Sequence, residues 1–294
     1  MNAKKDIHFI INPISGTGKQ KNIAEKIETE ITAHGFHTQI HYSKAKGDAT
    51  AIAEKLCDKT PKIIVAVGGD GTINEVGKAL VDTNHIFGMI PTGSGNGLAR
   101  HLNIPQNVRK ALELLRQGSI QKIDSCTLND EFFVNIAGLG FDAHIANAFS
   151  KSQKRGIKTY VKLILKQWSS YPLKDYEISI DNKLIFQGKA FLVSFANGSQ
   201  YGNNAYISPT SSICDGKVEI CILKPFSLKE IPNMLLKLMS RKIHWSKNMQ
   251  VLSCSEAQII TKIACAHLDG EPVHMGNDIK LKIYPNSINM ICGS

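Results

Sequence analysis

A chain of 294 residues, 43% hydrophobic and 20% charged, has the composition of a soluble globular protein and is too long for one small core. Lysine and arginine outnumber aspartate and glutamate by 35 to 25, and the formal charge of +10 favours anionic partners: nucleic acid, phosphorylated substrates or an acidic membrane face. The first residues lack the pattern of a secretory signal, and no run approaches the roughly 20 apolar residues of a membrane span. The seven cysteines, odd in number and never spaced CxxC, point to reduced thiols in the cytosol and away from a structural zinc.

Ile7 to Asn12 reads as a buried strand running into the loop Asn12-Pro13-Ile14-Ser15-Gly16-Thr17-Gly18. Ile23, Ala24, Ile27 and Ile31 mark one face of a helix that Gly35 stops. A strand from Thr38 to Tyr42 precedes a helix from Asp48 to Cys57. Then come a strand from Lys62 to Val67, a helix from Thr72 to Val81 and a strand from Ile86 to Ile90. Apolar strands alternating with helices predict a mostly parallel sheet covered on both faces. Ligands bind beyond the carboxyl ends of such strands, so the loops after Ile11, Val67 and Ile90 are expected on one rim. Near Gln121 the texture changes. Lys122 to Leu128 and Glu131 to Ala137 flank Asn129-Asp130, and a second hairpin turns at Asp181-Asn182. Further strands are expected at Ala190 to Ala196, Val218 to Leu223, Gln258 to Ala264 and Ile279 to Ile283, as in an antiparallel sandwich. The expected division is residues 1–120, an α/β nucleotide-binding domain, and residues 121–294, a β-sandwich, with the last strand free to return to the first domain.

The rim loops carry the chemistry. In Gly68-Gly69-Asp70-Gly71-Thr72, the glycines admit a ligand to bare backbone, and the N–H groups opening the next helix form an anion site. Asp70 would repel a bare phosphate, so it implies a metal ion or a proton to remove. Pro91-Thr92-Gly93-Ser94-Gly95-Asn96-Gly97 repeats the glycine- and hydroxyl-rich design. Two lookalikes fail: Pro13 and Gln20 stand where a P-loop needs Gly and Ser or Thr. Gly138-Leu139-Gly140-Phe141-Asp142-Ala143 matches the dinucleotide fingerprint but lacks the acid expected about 20 residues on.

Asn12-Pro13-x-Ser15-Gly16, Gly68 to Glu75, Pro91 to Asn96 and Leu268-Asp269-Gly270-Glu271 together resemble the diacylglycerol kinase catalytic family, which includes sphingosine and ceramide kinases. The resemblance spans nearly the whole chain. It implies a three-layer α/β ATP-binding domain like that of NAD kinases, an antiparallel β-sandwich lipid domain and an active site in the cleft between them. Carried over position by position, Asn12, Pro13, Ser15, Gly16, Gly68, Gly69, Asp70, Gly71, Thr72, Asn74, Glu75, Gly93, Ser94 and Asn96 match nucleotide-contacting stretches, as does Ser43 where threonine is usual. Ser212, Asp215 and Lys217 match a magnesium-binding segment, the lysine through its backbone carbonyl alone, and Asp124 matches an aspartate of the same network. Asp269 and Glu271 match the pair that supplies the family's proton acceptor; with Asp70 they are the expected catalytic residues. One departure stands out: many bacterial members read GTxND where this chain has Gly93-Ser94-Gly95-Asn96-Gly97, a form nearer the sphingosine and ceramide kinases.

The expected activity is therefore ATP- and magnesium-dependent phosphorylation of a membrane lipid hydroxyl, diacylglycerol first, with a sphingoid or ceramide lipid, NAD, or an inactive binding role as alternatives. Positive charge gathers in two stretches. No acid occurs from Ala143 to Lys174, where Lys154, Lys158, Lys162 and Lys166 recur at helical spacing beside Leu163, Ile164, Leu165 and Trp168. A second mixture runs from Met234 to Lys247. Residues 151–174 and 234–247 are thus expected to meet an anionic membrane surface, with the protein cytoplasmic and peripheral at the inner membrane face. No nucleic-acid motif occurs, and a homodimer stays open.

Overall fold

The computed structural model describes residues 6–15, 22–32, 34–150, 152, 157–262 and 265–293. The chain divides into two compact units, Met1–Ile123 with Asn286–Ser294, and Asp124–Pro285.

The first unit alternates β1 (Asp6–Ile11), α1 (Ile23–Ile27), β2 (His37–Tyr42), α2 (Asp48–Leu56), β3 (Ile63–Gly68), α3 (Asp70–Ala79), β4 (Ile86–Pro91), α4 (Gly97–His101) and α5 (Val108–Gln117). The strands lie in the order β2-β1-β3-β4, every pair parallel. β3 is buried along its whole length, as its unbroken apolar run requires in a sheet covered on both faces. Ile7, Phe9, Ile11, Val65 and Val67 pack against Ile23, Ile27 and Ile31, and against Ala111, Leu112 and Leu115 of α5. α2 and α3 pack on each other and on β1 and β3 respectively. The helix begun by α1 continues as a wider π-type turn over Glu28–Thr32.

The second unit holds the second half of β5 (Ser119–Leu128), then β6 (Glu131–Phe133), β7 (Ile136–Gly140), α6 (Phe141–Ser150), α7 (Ile157–Gln167), β8 (Lys174–Ile180), β9 (Lys183–Ala190), β10 (Leu192–Ala196), β11 (Val218–Leu223), α8 (Ile231–Met239), β12 (Met249–Cys254), β13 (Glu256–Thr261), β14 (Cys265–Leu268), β15 (Glu271–His274) and the first part of β16 (Asp278–Cys292). One antiparallel sheet runs β12-β11-β10-β7-β14-β15; facing it, β13 pairs with β16 and with β8, and β8 with β9. Leu139, Phe195 and Ile220 of the first sheet share a core with Ile178, Ile259 and Leu281 of the second. Hairpins turn at Asn129-Asp130, Asp181-Asn182 and Asp269-Gly270, each with positive φ at both central residues, the backbone that two-residue hairpins need. β16 is longer than the predicted strand, and its Asn289 and Met290 lie parallel to Ile86 and Phe87 of β4 in the first unit.

Two other differences have physical causes. The strand expected over Glu131 to Ala137 is interrupted at Val134 and Asn135, because the N–H groups of residues 134–136 go to the Asp269 carboxylate instead of a ladder. The failed fingerprint is a genuine strand-to-helix bend: Gly140, at φ +90°, turns β7 into α6. Among the described residues no helix is long and apolar enough to cross a membrane.

Tyr176, 1% exposed, fills the sandwich core, and its hydroxyl has no hydrogen-bond partner among the described residues. A buried hydroxyl left unpaired costs about 1–3 kcal/mol. Tyr176→Phe is therefore expected to raise the thermal unfolding midpoint, by about 1 kcal/mol of stability in a denaturation experiment; a lowered midpoint would contradict it.

Candidate active site

In the first unit the rim loops are stitched to one another. The Asn12 N–H donates to the Val67 carbonyl at 3.0 Å and its Nδ2 to the Thr72 hydroxyl at 3.2 Å, while Asn12 Oδ1 accepts the Ile14 N–H. The Ser15 hydroxyl bonds the Asn12 carbonyl and the Thr92 hydroxyl, each at 3.0 Å. Ser43 is buried beside them, its N–H on the Ile11 carbonyl. Pro13 and Ser94 are exposed. Gly16 lies outside the described residues.

Asp70, the first residue of α3, turns its carboxylate onto the next loop. One oxygen accepts the Asn96 N–H at 2.9 Å and the other the Gly97 N–H at 2.8 Å, so Asp70 caps α4. The two glycine loops touch through bare backbone: a Cβ on Gly93 would lie 2.6 Å from the Gly69 Cα and 2.7 Å from Asn96 Oδ1. A Cβ on Gly68 would overlap the Thr72 side chain. α3 itself begins after Gly69, which has no side chain to cap it, and the positive end of its dipole suits an anion. Asn74 sits half-buried one turn further on. The Glu75 carboxylate accepts the Gly47 and Ala49 N–H groups and so caps α2.

In the second unit the β14–β15 hairpin separates the two candidate bases. Asp269, at φ +49°, directs its carboxylate inward to the N–H groups of Val134, Asn135 and Ile136 at 3.0, 2.9 and 3.0 Å. Glu271, two residues on, is exposed. Asp124 is fully buried and accepts the Gly216 N–H at 2.8 Å, while its own N–H donates to the Ile213 carbonyl, which brings it against the segment of Ser212, Asp215 and Lys217. Those three are exposed, and Asp215 accepts the Lys217 N–H. Asn197 spans from the Asp124 carbonyl to the Val134 carbonyl, and the side-chain oxygens of Asn197 and Asn135 are buried without partners among the described residues. This is an acceptor-rich place: burial first, then the Asp124 and Asp269 charges, push the Cys126 thiol far up. Oxygen donors alone, with one exposed carboxylate and orphaned carbonyl groups nearby, fit a hard cation such as magnesium that keeps several waters. Among the described residues no three His, Cys, Asp or Glu side chains cluster as a metal site.

Two features had little signal in the sequence. Helices α6, α7 and α8 cover the outer face of the β7–β10–β11 sheet and leave an apolar pocket of about 110 Å³, walled by Phe141, Ile145, Trp168, Phe191, Leu223 and Met234. At its edge Asp142 and His267, both buried, lie 3.3 Å apart; the Gly138–Ala143 motif was their only trace. Lys162 and Lys166 are exposed on α7, whereas Lys151, Lys154 and Arg155 lie outside the described residues.

Replacing Asp269 by Asn removes charge from three N–H donors and turns an amide N–H₂ toward one of them. Since hydrogen bonds to charged groups contribute about 1.5–3 kcal/mol each, Asp269→Asn is expected to lower the unfolding midpoint markedly. Glu271→Gln, on an exposed side chain, should leave it within error. Equal effects in calorimetry would refute the assignment.

Residues 6–128 match the diacylglycerol kinase catalytic domain, and residues 135–292 match the YegS C-terminal NAD kinase beta sandwich-like domain. A diacylglycerol kinase of Bacillus subtilis (strain 168) is 32% identical over 231 residues, 77% of this chain and 76% of the relative. The crystal structure of a diacylglycerol kinase from Bacillus anthracis str. Sterne superposes with a TM-score of 0.75 at 20% identity, over 100% of this chain and 98% of the other. An NAD kinase from Archaeoglobus fulgidus in complex with ATP has a TM-score of 0.55 at 14% identity, over 97% and 93% of the two chains, a likeness of fold.

Proposed function

Because the chain belongs to the diacylglycerol kinase family and is a lipid kinase, we propose that it transfers the γ-phosphoryl group of ATP to the free hydroxyl of diacylglycerol, giving phosphatidic acid and ADP. The observation that carries this reading is a division of labour between carboxylates. Asp70 and Asp269 direct their carboxylates onto backbone N–H groups, while Glu271, the first residue of β15 after the turn, is exposed. A substrate hydroxyl can reach an exposed carboxylate, whereas the Asp269 oxygens are turned onto three backbone N–H groups, so Glu271 suits the base better than Asp269 does.

The triphosphate lies against the bare backbone of Gly68 to Gly71 and the first turn of α3, with the hydroxyls of Ser15, Thr72 and Thr92 beside it. Asp70 acts on this cradle by fixing the Gly93–Gly97 loop. Glu271 takes the proton of the lipid hydroxyl as its oxygen bonds to the γ-phosphorus; the bond to the β–γ bridging oxygen breaks and ADP departs with that electron pair. Magnesium, when bound, would be held by Ser212, Asp215 and the Lys217 backbone carbonyl with Asp124 behind them, and would neutralise phosphate charge. The apolar pocket is suited to an acyl chain.

Membrane contact follows from the same unit. Leu165 of α7, Leu236 and Met239 of α8 and Trp245 beyond it are exposed, and Lys162, Lys166, Lys237 and Lys242 stand among them. Apolar tips in a field of lysines suit peripheral attachment to an anionic leaflet, such as the cytoplasmic face of the membrane.

With labelled ATP and mixed micelles, label should enter diacylglycerol in preference to ceramide, sphingosine or NAD. Glu271→Gln should lower kcat by about 10²–10⁴-fold with KM for ATP unchanged. Preferred labelling of ceramide or sphingosine would replace the acceptor, and full turnover by the variant would remove Glu271 as base. For attachment, Trp245→Ala and Lys237→Glu should each weaken co-sedimentation with phosphatidylglycerol vesicles, the charge reversal by about 1 kcal/mol or more. Unchanged binding by both variants would exclude this surface.

A further inference from the structure

Asp142 and His267 take no direct part in the phosphoryl transfer, yet they sit behind the hairpin that carries its base. Asp142 follows the Gly140 bend as the second residue of α6. One of its oxygens accepts the Ala143 N–H at 2.8 Å; the other accepts the Ser194 hydroxyl at 2.7 Å and the Tyr201 hydroxyl at 3.0 Å, and lies 3.3 Å from His267 Nε2. Asp142, Ser194 and His267 are 4%, 0% and 3% exposed, so this is a dry cluster. β7 makes room for it with a glycine: a Cβ on Gly138 would overlap the Asp142 carboxylate.

The other ring nitrogen of His267 looks the opposite way. Nδ1 accepts the Gly270 N–H at 3.3 Å. Gly270 is the second central residue of the turn between Asp269 and Glu271, and a two-residue hairpin of this type leaves that N–H without a partner in its own ladder. An Nδ1 that accepts must be bare, so the ring proton is on Nε2, facing the Asp142 carboxylate, as a carboxylate there dictates. The chain of contacts therefore runs from α6, through one imidazole in a fixed tautomer, to the backbone next to Glu271. Asp269 anchors the turn from one side through three N–H groups. His267 holds it from the other.

We propose that His267 and Asp142 are positioning residues for the phosphoryl transfer: Asp142 sets the tautomer of His267, and His267 Nδ1 fixes the Gly270 N–H and with it the direction in which Glu271 leaves the turn. The inference rests on the reading of Glu271 as the base.

The test compares three replacements at 267 in the full chain. His267→Leu removes both contacts. His267→Gln keeps a donor that reaches Asp142 and loses the acceptor for Gly270. His267→Asn keeps an oxygen near the Nδ1 position and loses the link to Asp142. A misplaced catalytic group costs up to about 10²-fold. His267→Gln and His267→Leu should thus lose about 10–100-fold in kcat with KM for ATP unchanged, and His267→Asn should recover at least about tenfold of that loss. In a Glu271→Gln background, His267→Gln should add no further loss, because its effect runs through the missing base. If Gln and Asn at 267 are equally impaired, or if the loss persists undiminished in the Glu271→Gln background, the proposal is overturned. Full activity of Glu271→Gln alone would instead overturn the base assignment. Should His267→Leu fail to fold, the Gln and Asn pair still decides the matter.

Discussion

The first unit depends on the pair of hydrogen bonds by which Asp70 holds the N–H groups of Asn96 and Gly97. A carboxylate accepting backbone N–H groups makes bonds roughly twice as strong as neutral ones. Here those bonds join the loops that leave two adjacent parallel strands, β3 and β4. The glycines follow from that closure: pressed on Gly69, Gly93 has no room for a side chain, and a Cβ on Gly69 would in turn crowd the Gly93 backbone. The result is a rim of main chain in which the acid is turned inward onto the neighbouring loop.

The second unit solves a similar problem with the same means. Asp269 gathers the N–H groups of residues 134–136, interrupts a strand to do so, and fixes a hairpin whose next side chain, Glu271, is exposed. Near it, Asp124 ties the 212–217 segment to the sandwich through Gly216 and Ile213. Both units thus use a buried or half-buried carboxylate as a scaffold for backbone donors and present a neighbouring feature to solvent. For Asp70 and Asp269 the cost of holding charge away from water is offset because each oxygen accepts at least one N–H.

Much of this is written locally. The largely apolar strands β1, β3 and β4 define a parallel sheet, and the sheet by itself sets the loops of Asn12, Gly68 and Pro91 on one rim. Asn129-Asp130, Asp181-Asn182 and Asp269-Gly270 announce hairpins because few residue pairs accept positive φ twice. What stayed hidden depends on distant partners. Asp269 and Glu271 are indistinguishable in sequence, since the donors that claim Asp269 lie 134 residues away in the case of Asn135. Glu75 sits in a nucleotide-like motif, but Gly47 and Ala49, whose N–H groups it accepts, belong to the start of another helix. The Gly138–Ala143 bend looked like a broken dinucleotide motif because the partners of Asp142, Ser194 and His267, join it only when β10 and β14 flank β7.

The proposed phosphoryl transfer requires that the N-terminal end of α3, framed by the glycine loops, receive the phosphates. Amide hydrogen exchange with and without ATP and magnesium, in the absence of lipid, tests that requirement most directly. Slowed exchange is expected in the segments 68–75 and 91–97, with β8 and β9 unaffected. Tight nucleotide binding that leaves the amides of 68–75 unprotected would contradict it.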